Sequence, residues 1–251
     1  MTTAVFVAWR GGGDQTGHWG PVGRLERVAG GYRFVYTEGA RKLRGFRPFP
    51  GMEDLEAVYE SEELFPLFLN RLLAPSRPEY SAYLEWSGFD PDHPPDPVAL
   101  LGITEGRRVT DQFEIFPYPQ RDSKGCYQVK FFLHGIRWLP EPARKRIDRL
   151  QRDEQLGLLL DIHNPVDRSA VAVRTMTEHY LIGYVPRYLA EDVRSLCLRC
   201  DPEAMQLTVE RVNADAPLQF RVLCRFRGCW PEGFAPCTGE LYKPIPQTDS
   251  S

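Results

Sequence analysis

Four cysteines toward the C-terminal end, Cys197, Cys200, Cys224 and Cys229, give a C-x-x-C pair followed by two further thiols. Four thiolates suffice for a tetrahedral structural zinc site. The same residues also read as packing, because Cys197 ends an amphipathic helical pattern and Cys224 falls inside an apolar strand, where a free thiol behaves as a small hydrophobe. A second group is basic: Arg137, Arg144, Lys145, Arg146, Arg149 and Arg152 form the densest cationic run. On one helix Lys145, Arg149 and Arg152 share a face that can follow a phosphate backbone or simply be solvated. A third group is spread over three blocks, Gly135-Ile136-Arg137-Trp138, Asn164-Pro165-Val166-Asp167 and Ile182-Gly183-Tyr184-Val185-Pro186-Arg187. Taken singly, the Asn-Pro-Val-Asp block is a sound β-turn whose polar side chains bond local donors. Trp138 suits a core, Tyr184 a sheet face, and Arg187 a solvated helix start.

Several chemistries are excluded or disfavoured. Gly11-Gly12-Gly13 is followed by no Gly-Lys-Ser/Thr and no helix start, so it reads as a turn and not a phosphate loop. No Ser/His/Asp set, paired carboxylates or metal-spaced histidine pair is legible, and we expect a protein that is not an enzyme. The net charge of -3 argues against bulk binding of a polyanion. Residues 1–125 carry 14 basic and 18 acidic groups, whereas 126–251 carry 17 and 16, so any phosphate contact belongs in the second half. The start lacks a basic and then apolar leader, and no run reaches membrane-spanning length, which gives a cytoplasmic expectation. In that setting the six cysteines point to free thiols or metal before disulfides.

The elements that must position these groups follow from periodicity and breakers. Strands are expected at 5–9, 21–28 and 31–36, the last two joined through Gly30-Gly31 as a tight hairpin. Helical patterns cover 62–73 and 78–86, and the proline-dense stretch 90–97 is a loop. Residues 98–103 and 111–116 are further elements of the same domain. From 127 the pattern becomes many short strands, at 128–133, 156–162, 169–173, 181–185, 205–212 and 220–226, with helices at 142–152 and 186–198. That suits a small, partly open OB-like β-barrel. The fold class is therefore α+β, with domain 1–116, linker 117–126, barrel domain 127–240 and a flexible tail 241–251.

Two family resemblances lie on these residues. Residues 18–116 are similar to the N-terminal subdomain of HipA-type kinases, through Val22-Gly23-Arg24-Leu25, Arg33-Phe34-Val35-Tyr36, the helix carrying Asn70-Arg71-Leu72-Leu73, and Asp96-Pro97-Val98-Ala99-Leu100-Leu101. No kinase core follows. The three blocks at 135–138, 164–167 and 182–187 resemble the HIRAN domain, a β-barrel module that, in helicase-like repair factors, grips the 3′ end of single-stranded DNA.

The HIRAN resemblance places seven residues at a binding site. Trp138, beside Arg137, becomes a stacking platform, Asn164 and Asp167 the polar groups of the turn, and Tyr184 and Arg187 neighbours of the phosphate. An aromatic face contributes about 1–3 kcal/mol per stacked base. The Asp167 carboxylate can accept from a terminal hydroxyl and would repel a continuing phosphate. Val166 stands where the best-known members carry an aromatic, so the base sandwich is one-sided here. The leading expectation is a DNA-binding module for single-stranded or 3′-terminal DNA, serving repair or defence and coupled to a protein partner through the first domain. The alternative is an antitoxin or regulatory subunit of a HipA-like kinase, with the barrel as a scaffold. A zinc-containing interaction protein is the third.

Overall fold

The computed structural model describes residues 4–11, 19–107 and 112–245. Most of the glycine run, the first three residues and the last six of the expected tail lie outside them. The chain forms two compact units, Met1–Tyr80 with Pro95–Tyr118 and Cys237–Ser251, and Ser81–Pro94 with Pro119–Pro236. The fold class is mixed α+β, with a sheet-plus-helix unit preceding a curled sheet.

The first unit is built on an antiparallel sheet of β1 (Ala4–Arg10), β2 (Trp19–Val28), β3 (Gly31–Tyr36), β4 (Val58–Ser61) and β5 (Phe113–Pro117), in the order β4-β3-β2-β1-β5. Side chains alternate across a strand, so Val5, Val7, Leu25, Phe34, Tyr36 and Ile115 enter one core with Phe49, Phe68, Val98 and Leu101. On the other face Phe6 meets Tyr242 edge-on at 5.0 Å. Two short helices, α1 (Glu38–Lys42) and α2 (Pro66–Leu69), belong to this unit. The helix expected over 62–73 is thus reduced to a single turn. Pro66 holds the preceding Phe65 at ψ 138°, so the helix cannot begin earlier. The chain up to Ile245, expected to be tail, packs on this unit: Ile245 is buried and its N–H donates to the Tyr36 carbonyl at 3.0 Å.

After β4 and α2 come α3 (Tyr80–Trp86) and α4 (Pro97–Thr104), the latter started by Pro97 with the Asp96 carboxylate accepting from the Val98 N–H. Most of α3 packs with the second unit, where the Asn213 amide donates to the Trp86 carbonyl at 3.0 Å and Tyr83 meets Phe220 edge-on.

The second unit holds a sheet of β6 (Gln120–Arg121), β7 (Tyr127–Phe132), β8 (Gln155–Leu160), β9 (Val171–Thr175), β10 (Leu181–Tyr184), β11 (Gln206–Val212) and β12 (Val222–Gly228), in the order β10-β9-β8-β11-β12-β7-β6. Part of the expected linker is therefore strand. The sheet curls back on itself, because an isolated bridge joins Tyr184, ending β10, to His134, just past β7. At this seam Gly183 has φ 154°, and a Cβ there would lie 2.9 Å from the His134 carbonyl oxygen. Only glycine lets the two backbones approach so closely. Outside the sheet lie α5 (Glu141–Ile147) and α6 (Arg187–Arg199). Tyr188, Leu189, Val193 and Leu196 form the buried stripe of α6.

Candidate nucleic-acid interface

The seam positions the site. Tyr184 and His134 exchange two backbone hydrogen bonds, each of 3.0 Å, so the chain leaving β7 is pinned to the end of β10. Gly135 then turns at φ 79°, a conformation costly for other residues, and caps a 3-10 turn over Ile136–Trp138. Ile136 is buried, which aims the rest of the turn outward. Trp138 is 77% exposed, the highest value among the exposed large hydrophobics, so it is no core residue. One face of its indole carries the Arg137 guanidinium, 4.4 Å from the ring centroid. That contact helps hold the ring and leaves one face for a ligand.

The second block is a turn closed by its own side chains. The Asn164 carbonyl oxygen accepts from the Val166 and Asp167 N–H groups, both at 3.0 Å, and its amide donates to Asp161 at 2.9 Å. Asp167 uses Oδ1 to accept from the Ser169 N–H at 2.9 Å, and its second oxygen has no partner among the described residues. Val166 stands at the tip, 71% exposed. Asn164 thus builds the turn, and the groups the turn offers outward are the Val166 side chain and one Asp167 oxygen.

Tyr184 joins the two blocks. Its ring lies against Gly135, where an added Cβ would meet it at 3.3 Å, and its hydroxyl donates to Asp161 Oδ2 at 3.2 Å. Partial burial, followed by the Asp161 hydrogen bond and charge, raises its pKa above the usual phenol value. Arg187 opens α6 three residues beyond, as the helix-start reading requires.

Residues 126–228 match the family model of the HIRAN domain. The matched region spans β7 to β12 and contains all three blocks. Among solved structures the chain is similar to the HIRAN domain of human HLTF, with 15% identity over 40% of this chain and 73% of that one at a TM-score of 0.31. A protein from Lactobacillus plantarum is similar at 18% identity over 41% of this chain and 97% of that one, with a TM-score of 0.30. No curated protein matches the chain. The HIRAN match lies outside 18–116 and does not bear on the HipA expectation made there.

The remaining sequence candidates are dispersed. The helix expected over 142–152 ends at Ile147, since Leu150 makes a tighter bond to the Ile147 carbonyl and the Asp153 N–H turns to Val209. Lys145 therefore lies on α5, paired with Glu141 at 2.6 Å, while Arg149 and Arg152 follow in turns. The helical stripe does not form. Nor is the zinc quartet assembled. Cys200 and Cys229 form a disulfide linking the ends of α6 and β12, contrary to the expectation of free thiols. Cys224 is wholly buried in β12, which pushes its thiol pKa well up, and Cys197 stands free on α6. No metal-ligating cluster exists among the described residues. None of the described helices is long and apolar enough to cross a membrane.

Two residues escaped sequence reasoning. Asp161 anchors both Asn164 and Tyr184, and its only signal was the i, i+3 spacing to Asn164. Arg168, next to Asp167, is exposed and has no partner among the described residues, so it offers a cation beside the turn.

Proposed function

We propose that the HIRAN region binds single-stranded DNA at its 3′ end, with the terminal base on the open face of Trp138. The observation that carries this is the indole itself. A tryptophan 77% exposed buries little apolar area and gains little in folding, whereas a stacked base would cover it. Val166, also exposed, supplies apolar contact from the turn but no second π face. The free Asp167 oxygen accepts from a 3′ hydroxyl and repels a further phosphate. Arg168 and Arg187 supply positive charge near the preceding phosphate. Asn164, Asp161 and Tyr184 act as positioning residues, because their polar groups are engaged in holding the turn. This is a binding function without a reaction.

The reading is tested with two labelled oligonucleotides identical except at the 3′ end, one with a hydroxyl and one with a phosphate. The hydroxyl form should bind about tenfold more tightly, the scale of one charge-assisted contact. Equal affinities would falsify end recognition.

A further inference from the structure

The first unit contains a pair of arginines whose pairing departs from what strand register dictates. In the β2–β3 ladder Glu26 lies opposite Arg33 and Arg24 opposite Val35. Alternation places all four side chains on the sheet face away from the Leu25 and Phe34 core. A directly opposed Glu and Arg ordinarily attract each other across the ladder. Here Glu26 instead takes Arg24, two residues along its own strand, at 2.5 Å. Arg33 has no hydrogen-bond or ion-pair partner among the described residues, and the Nε atoms of both Arg24 and Arg33 are shielded from solvent and unbonded. Pro244 and Ile245 close over the same four side chains, leaving a partly enclosed cleft of about 170 Å³.

Leaving a half-buried guanidinium without an acceptor is costly, and guanidinium forks match the geometry of carboxylate and phosphate. We infer that this cleft is a binding site for one small oxyanion, a phosphate or a carboxylate, held chiefly by Arg33 with Arg24 beside it. At about 170 Å³ it is well above the roughly 10–15 Å³ that holds one water, so it has room for a single such ion. Val35 and Ile245 supply apolar walls that strengthen the charge interaction. Glu26 neutralises one of the two cations lining the cleft, and Glu60, opposite Arg33 in the β3–β4 ladder, is exposed and does not line it, so the lining keeps one net positive charge and favours a single oxyanion over a polyanion. The site belongs to the first unit and does not depend on the DNA-binding reading.

Thermal unfolding of the whole chain at constant ionic strength, with chloride replaced stepwise by inorganic phosphate or by acetate, tests the assignment. The midpoint should rise saturably with at least one ion; phosphate alone responding marks a phosphate site, and acetate responding marks a site open to a carboxylate. Arg33→Gln should unfold in chloride no earlier than the wild type and should weaken the ion about tenfold. Glu26→Gln, which frees Arg24, should tighten it several-fold. A phosphate response that is identical in Arg33→Gln and wild type reflects general salting effects and overturns the proposal, as does the absence of a saturable response to either ion.

Discussion

The Tyr184 hydroxyl donates to the Asp161 carboxylate across 3.2 Å, while the same ring rests against Gly135. One side chain thus couples the turn that exposes Trp138 to the turn that exposes Val166 and Asp167. Tyr184→Phe keeps the ring and deletes the bond. We expect a stability loss of about 0.5–1.5 kcal/mol in denaturant unfolding, with a several-fold loss of DNA affinity that a merely structural tyrosine far from the ligand would not produce.

Asn164→Ala removes the acceptor of two backbone N–H groups and the donor to Asp161. The 164–167 turn should loosen and become a protease-sensitive point, with a stability cost of about 1–2 kcal/mol. Limited proteolysis with mapping of the first cut checks it; an unchanged digestion pattern would remove Asn164 as the organiser of the turn.

Gly183→Ala probes the seam. An alanine there faces both a positive φ and the His134 carbonyl, so destabilisation of about 1–3 kcal/mol is expected. Because the seam also positions Trp138, DNA binding should fall together with hydrogen-exchange protection of the Tyr184 amide.

Glu210 gives a pH dependence. Burial works to raise its pKa, but Lys130, at 2.8 Å, together with Arg225 holds it below the usual glutamate value of 4.5. A folded-state pKa below the unfolded one contributes stability that is fully present above pH 4.5 and is lost as pH falls through the lowered value. Glu210→Gln should therefore flatten the acid limb of a stability-against-pH curve below that point. A mutant curve parallel to the wild type throughout would contradict the pairing.

Patterns that depend on local chain chemistry were legible in the sequence. The β2–β3 hairpin followed from Gly30-Gly31 between alternating strands, and the helix beginning at Arg187 from the proline before it and its apolar stripe. Long-range pairing was not. Nothing local announces that Cys200 meets Cys229, since a helix end and a strand end must first be brought together by the whole sheet. The pattern over 62–73 was apolar enough for a helix, yet tertiary packing uses those residues as turns around one short helical segment. In the site, the HIRAN resemblance pointed to Trp138 and the Asn-Pro-Val-Asp turn, which by residue type alone read as core and as an ordinary turn. Asp161 stayed hidden because its role depends on Tyr184, a neighbour only after the sheet closes.

The most direct test is the affinity of the intact chain for a short single-stranded oligonucleotide with a free 3′ hydroxyl, compared with Trp138→Ala in the same salt. Because the indole is exposed, the variant should unfold at nearly the wild-type midpoint. The account predicts that it loses about 1–3 kcal/mol of binding for any base sequence, the value of one stacked base. Wild-type affinity in the variant, or no binding by the wild type, would contradict it.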